Sequence, residues 1–274
     1  MRVLLHSKSL IVDDIPGFVR ELQDQADADL SAEEAGRLCY LSGHRPNPKT
    51  ATNADYLLNI CNERHYSVLG HSFFSFYIDE VSRNETHEKI RHRWFTYSEV
   101  SQRYVDAENF WMVGHPGLRD LDEEHKDKIQ SDFIAAKESY REIVDALTAK
   151  GYKRKEARQA ARSVLPSGTE TKILMSGNLR AWRDFLAQRL APGADLEIRS
   201  VALEIYKILK QESPNSFQDF DSRGMITVER LIQRALDRHD FGLSTSKEYV
   251  WVTREILKNG LWTLKDDPWK DEEK

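Results

Sequence analysis

Residues 72–93 read SFFSFYIDEVSRNETHEKIRHR, and a change of period inside them decides the fold class. Phe74, Phe76 and Ile78 alternate with Phe73, Ser75 and Tyr77, the two-residue repeat of a strand with one apolar face. Ser82, followed three residues later by Glu85, has the spacing of a helix capping box. A helix is therefore expected to start there and to carry Arg83, His87 and Arg91 along one side. Strand followed by capped helix, in a chain otherwise dominated by helical periodicity, predicts an α+β protein.

The flanking segments extend this reading. Upstream, SAEEAGRLCYLSG places Ser31 as a cap, acidic residues in a first turn and Gly43 at the end, and ADYLLNICNERHYSVLGH spaces Tyr56, Leu57, Ile60 and Cys61 helically before breaking near His65. Downstream, HKDKIQSDFIAAKESYREIVDALTAKG predicts a long amphipathic helix ending at Gly151. KRKEARQAARSVLP predicts a very basic second helix, stopped by Pro166 and paired with the first as a hairpin. TKILMSG is strand-like, while NLRAWRDFLAQRL and DLEIRSVALEIYKILKQESP are helical. After about residue 220 the pattern loosens, and residues 221–274 are expected to form a helical extension of the same domain as residues 1–220.

Composition narrows the function classes. With 274 residues, 40% hydrophobic and 31% charged, the chain can bury a full-sized core. Its net charge of −5 argues against a general nucleic-acid coat, so no DNA partner is expected. His6, Lys8 and Asp13 interrupt the mildly apolar N-terminus before a signal core or membrane span could form; a cytoplasmic, membrane-free protein is expected. Cys39 and Cys61 lie in apolar helical contexts, where free cysteine behaves as a small hydrophobe.

The local concentration of cation is then the feature to explain. RHRWFTYSEVSQRY, residues 91–104, holds three arginines, a histidine and two serines. Zinc is not expected: THEKIRH resembles a His-Glu-x-x-His site, but His92 stands five residues from His87, on a different helix face. A cysteine nucleophile lacks the neighbouring cation or helix N-terminus that would make a thiolate. Phosphate fits better, since guanidinium groups grip it in a bidentate manner and serine hydroxyls complete the shell. Arg91, Arg93, Ser101 and Arg103 could surround one or two phosphates. The competing reading is a solvated basic helix end paired with Glu88 and Glu99.

The spacing RHR, seven residues, Ser, continued as SQRYV, resembles the signature of the flavin-dependent thymidylate synthases. SAEEAGRLCYLSGHRPNPKTATNADYL, HYSVLGH, SRNETHEKIRHR, ARSVLP, SGNLRAWRDFLAQR and ADLEIR follow in that family's order, over roughly residues 25–220. The resemblance implies a fold in which helices wrap an antiparallel sheet. It implies conversion of dUMP to dTMP, with 5,10-methylenetetrahydrofolate as carbon donor and FADH2, regenerated by NADPH, as hydride donor. No protein cysteine attacks the pyrimidine in that chemistry, in keeping with the cysteine contexts here.

By the same resemblance, Ser67, Arg91, His92, Arg93, Glu99, Asn178, Leu179, Arg180 and Asp184 contact FAD. Glu99, Val100, Ser101, Gln102, Arg103, Arg162 and Arg189 contact the nucleotide together with Arg91, while Glu88, Lys89 and Ile90 line it from a neighbouring subunit of a homotetramer. Ser101 and Arg189 are the expected catalytic residues, with Arg189 facing the uracil. Two positions depart from the pattern: Gly70, where the family commonly has glutamate, and Asp184, where asparagine or histidine is frequent. The other readings are a divergent relative methylating another pyrimidine nucleotide and a non-catalytic nucleotide- or RNA-binding regulator.

Overall fold

The computed structural model describes residues 1–13, 15, 26–44, 47–191 and 193–220. The expected helical extension over residues 221–274 lies outside the described residues. The described residues divide into two compact units: one built from Met1–Lys8, Phe74–Gly177 and Ala194–Ile205, the other from the described parts of Ser9–Phe73 and Asn178–Gly193 together with 206–220.

The first unit carries a four-stranded sheet in the order β1-β2-β4-β3, formed by Arg2–Lys8, Phe73–Ser82, Thr96–Glu99 and Glu170–Asn178 in chain order. β1 runs antiparallel to β2, with Val3 opposite Ile78 and Leu5 opposite Phe76; β3 runs antiparallel to β4, with Thr96 opposite Ser176 and Glu99 opposite Ile173. The alternation read from sequence is the alternation observed. Phe74, Phe76 and Ile78 are buried with Ile173 and Met175 of β4, whereas Ser75 and Ser176 share a 2.7 Å hydroxyl hydrogen bond. β1 and β3 were not expected as strands. β3 is four residues long, and the β1 register is broken between Leu5 and Ser7, so neither presents a sustained period.

Within β2, Glu80 has φ +56°, a left-handed conformation that costs a side chain about 1–2 kcal/mol. Its carboxylate meets the N-terminal ammonium at 3.1 Å and is exposed, a pairing of small value. Glu80→Gly is therefore expected to stabilise the protein by about 1 kcal/mol, read as a rise in the urea midpoint at unchanged slope.

α3, Arg83–Lys89, begins where the Ser82–Glu85 spacing places it, the Ser82 hydroxyl accepting from the Glu85 amide at 3.2 Å. The reciprocal half of the box is supplied from far away. Glu197 accepts from both the Ser82 amide, at 2.7 Å, and the Ser82 hydroxyl, at 2.6 Å. Glu85 turns inward instead, onto Lys89. The helix also stops earlier than expected: Arg91 lies beyond its end, because the His92 amide closes back on the Lys89 carbonyl.

α4, Glu123–Ala149, starts on an Asp122 cap and ends before Gly151, whose φ of +89° suits only glycine at low cost. It forms the expected hairpin with α5, Arg154–Ala161, around Tyr140, Ala161, Phe110 and Ala107.

In the second unit, α1 spans Asp27–Leu38 and begins one turn before the expected Ser31 cap. The reason is tertiary. The buried Asp29 carboxylate accepts from the Ser216 and Asn215 amides and from the Ser213 and Ser216 hydroxyls, an anchor that no local pattern encodes. Burial pushes this carboxyl up against the pull of those donors. α2, Asn53–Asn62, starts on Thr52, and α6, Leu179–Arg189, on Asn178. α7, Leu196–Glu212, belongs to the first unit as far as Ile205 and to the second from Tyr206. Cys61 is buried as expected, whereas Cys39 is exposed, because α1 ends just before it.

Candidate functional site

In the first unit the basic motif is a turn followed by a strand. Its burial alternates: Arg91 and Arg93 are exposed while His92 between them is 5% exposed. Two guanidinium groups are thus presented outward by an inward-facing histidine. Ile90 is exposed and Glu88 half-buried on the preceding turn. The Lys89 side chain points the other way, fully buried with its ammonium 2.7 Å from Glu85 Oε1.

Beyond the turn, Glu99 is held from two sides. Thr86 donates its hydroxyl to Oε1 at 2.9 Å, and an Arg83 guanidinium nitrogen lies 3.3 Å from Oε2. Arg83 also donates to the Val100 carbonyl, so one half-buried cation fixes both residues. Burial holds the Arg83 pKa down, Glu99 opposes this, and Arg162 adds repulsion from close by. Arg83 and Thr86 were missed as supports of Glu99. The available signal was that both lie on α3, on the block SRNETHEKIRHR already singled out.

Ser101 opens a tight turn whose Tyr104 and Val105 amides both bond to its carbonyl. Its hydroxyl accepts from the Arg103 amide at 3.3 Å, leaving the hydroxyl proton to be donated to an anion. Gln102 and Arg103 are half-buried beside it, and Arg103 Nε is buried without a hydrogen-bond partner among the described residues. A buried guanidinium nitrogen left unmatched is what an anion would satisfy. Around the same turn, Arg158 donates to the Tyr104 carbonyl at 2.7 Å and pairs with Asp106, and the Lys155 ammonium lies 4.7 Å from the Tyr104 ring centroid. Arg162 is exposed in the short 3₁₀ turn Arg162–Val164 that ends α5.

The remaining expected residues belong to the second unit. Ser67 is exposed in a 3₁₀ turn, Tyr66–Gly70. Asn178 caps α6 by accepting from the Ala181 amide at 2.9 Å, and Leu179 is buried with its amide on the Ser72 carbonyl. Arg180 and Asp184, four residues apart, are exposed, and Asp184 accepts from Gln188 at 2.9 Å. The adjoining, buried side of α6 is locked by Arg183, paired twice with Asp219. Arg189 is the last residue of α6 and half-buried. A Cβ built at Gly70 would meet only Asn178 Nδ2, at 3.8 Å, so the missing side chain leaves room beside the α6 cap.

Among the described residues no group of His, Cys, Asp or Glu is arranged to hold a metal ion, and no helix is long and apolar enough to cross a membrane.

Comparison with known proteins agrees with the motif. The family described as "Thymidylate synthase complementing protein" matches residues 21–215. The flavin-dependent thymidylate synthase of Mycobacterium tuberculosis strain H37Rv is 47% identical over 196 residues, 69% of this chain and 78% of that one. That of Mycobacterium marinum is 44% identical over 230 residues, 81% and 90% of the two chains, and that of Mycolicibacterium vanbaalenii 46% over 205 residues, 71% and 82%. Identity at this level over most of both chains, with the RHR turn and serine cradle in place, shows that the chain belongs to the flavin-dependent thymidylate synthase family.

Proposed function

We propose that this chain makes dTMP from dUMP, taking its one-carbon unit from 5,10-methylenetetrahydrofolate and its hydride from FADH2, which NADPH regenerates. The observation that carries the reading is the pairing, in one unit, of the outward Arg91 and Arg93 with the Ser101 hydroxyl and the unmatched Arg103 nitrogen. That donor set fits a phosphorylated cofactor and a nucleotide phosphate. The bound flavin supplies the hydride chemistry; the protein supplies binding and orientation.

Arg91, His92 and Arg93 would hold the flavin, with Ser67, Asn178, Leu179, Arg180 and Asp184 as further contacts. Ser101, Gln102, Arg103 and Arg162 would grip the dUMP phosphate. Glu99, kept in place by Thr86 and Arg83, would lie between the two ligands. Holding a nucleotide by its phosphate while its base meets a second reactant removes much of the entropic barrier to their encounter. Arg189 would stabilise negative charge on the uracil. Glu88, Lys89 and Ile90 would serve the nucleotide of a neighbouring subunit in a homotetramer, Lys89 through its backbone, since its ammonium is buried.

The test is thymidylate formation by purified protein given dUMP, methylenetetrahydrofolate and NADPH, with and without FAD. FAD-dependent product is expected. A flavin-loaded tetramer that makes no dTMP would show that the substrate is another nucleotide, and a protein that binds nucleotide but no flavin would show a binding module. The room at Gly70 adds a graded check. Gly70→Glu can place a carboxylate near the Asn178 amide, and is expected to slow FAD loss on gel filtration relative to the unmodified chain.

A further inference from the structure

We infer that Tyr97 and Gly177 are positioning residues for the Arg91–His92–Arg93 turn: the Tyr97 hydroxyl ties its two ends together, and the bare backbone at Gly177 seats the ring that seats His92. The inference rests on the reading above, in which that turn holds the flavin.

The turn follows α3, whose last carbonyls have no partner within the helix. Lys89 supplies one of them, and it accepts from the His92 amide at 3.0 Å. Tyr97, on β3, brings its hydroxyl 2.6 Å from the Lys89 carbonyl oxygen and 2.8 Å from that of His92. One hydroxyl proton is thus shared by the carbonyls that open and close the turn. A phenylalanine at 97 would fill the same volume and leave both oxygens without that donor.

The second device is steric. The His92 ring meets Phe95 edge-on, with centroids 6.5 Å apart, and Phe95 meets Tyr97 at 6.2 Å. Phe95 lies against Gly177 of β4: a Cβ there would stand 2.5 Å from two atoms of the Phe95 ring, closer than real Cβ contacts come. Only glycine lets Phe95 occupy this place, and Phe95 in this place backs the inward His92. With His92 held in, Arg91 and Arg93 are held out. Both devices fix the turn before any ligand arrives, so less ordering is left to oppose binding.

The experiment measures two quantities on the full chain: amide hydrogen exchange at residues 90–93 without ligand, and the FAD dissociation constant from flavin fluorescence. Tyr97→Phe is expected to speed exchange in the turn and to raise the FAD dissociation constant about five- to tenfold, the range of one lost hydrogen bond. Gly177→Ala is expected to do the same, and adding Phe95→Leu to it is expected to restore part of the affinity by giving the new methyl room. Tyr97→Phe with unchanged exchange and unchanged FAD affinity would overturn the inference. Faster exchange with unchanged affinity would overturn the positioning role, while leaving the proposed reaction intact. Wild-type protein that takes up no FAD would overturn the functional reading and this inference with it.

Discussion

Arg189→Ala is expected to lower the rate of thymidylate formation by roughly 100- to 1000-fold, the usual cost of removing one preorganised donor from developing charge. FAD should remain bound, because the flavin contacts proposed on α6 run from the Asn178 cap to Asp184 and do not include Arg189. Arg189 closes the helix, half-buried, where the C-terminal dipole favours a cation without any catalytic role. The two explanations differ in their readout. A dipole partner alone would change the melting temperature and leave turnover alone, whereas a group facing uracil would lower the rate constant of the chemical step in single-turnover measurements on flavin-loaded protein. Unchanged turnover in Arg189→Ala removes the proposed catalytic role.

The second large effect is on stability. Lys89→Met is expected to cost about 3–5 kcal/mol, because it leaves the Glu85 carboxyl buried without its partner. The two groups lie 2.7 Å apart, both fully buried, and neither makes a well-directed hydrogen bond among the described residues. Such a pair is replaceable: Glu85→Leu with Lys89→Met should recover the loss and can exceed the wild type. Chemical denaturation of the two variants and the wild type provides the comparison.

The pH dependence follows from the same burial. Desolvation raises the Glu85 pKa above its ordinary 4.5 and lowers that of Lys89 below its ordinary 10.5. As pH rises past 4.5 the unfolded chain releases the Glu85 proton before the folded one does, so wild-type stability falls. Between the lowered pKa of folded Lys89 and 10.5 the folded chain gives up that proton while the unfolded chain still holds it, so stability rises again, and the rise ends once the unfolded chain loses it too. The double variant lacks both groups. Its advantage over the wild type should therefore grow from pH 4 toward neutrality and shrink toward pH 10.5.

What the sequence made legible was what local patterns encode. β2 announced itself by alternation, α4 by its apolar stripe and glycine stop, and α6 by the asparagine cap. The ligand chemistry proposed for residues 91–103 was read from three arginines and a serine in so short a span, a set that suits few ligands. What stayed hidden depends on residues far apart in the chain. Asp29 starts α1 early by accepting from Ser213, Asn215 and Ser216. Arg83 reaches forward to Val100 and Glu99, and the Gly177 requirement exists only because Phe95 packs there. Short edge strands such as β3 give too few residues for any period to show. The site residues proposed from the motif were thus readable as donors, while the groups that hold them in place were not.

The Ser82 cap carries a consequence for the order of folding. Its amide is satisfied by Glu197, 115 residues later in the chain. Closing a loop of that length has an entropic cost that must be met before the contact contributes anything, so such contacts form late. A nascent chain that has emerged only as far as α5 holds the RHR sequence but lacks the carboxylate that completes the start of α3. The start of α3 is thus completed only once α7 has been made, and on the proposed function the arginine turn that follows this helix waits for α7 before it can hold the flavin.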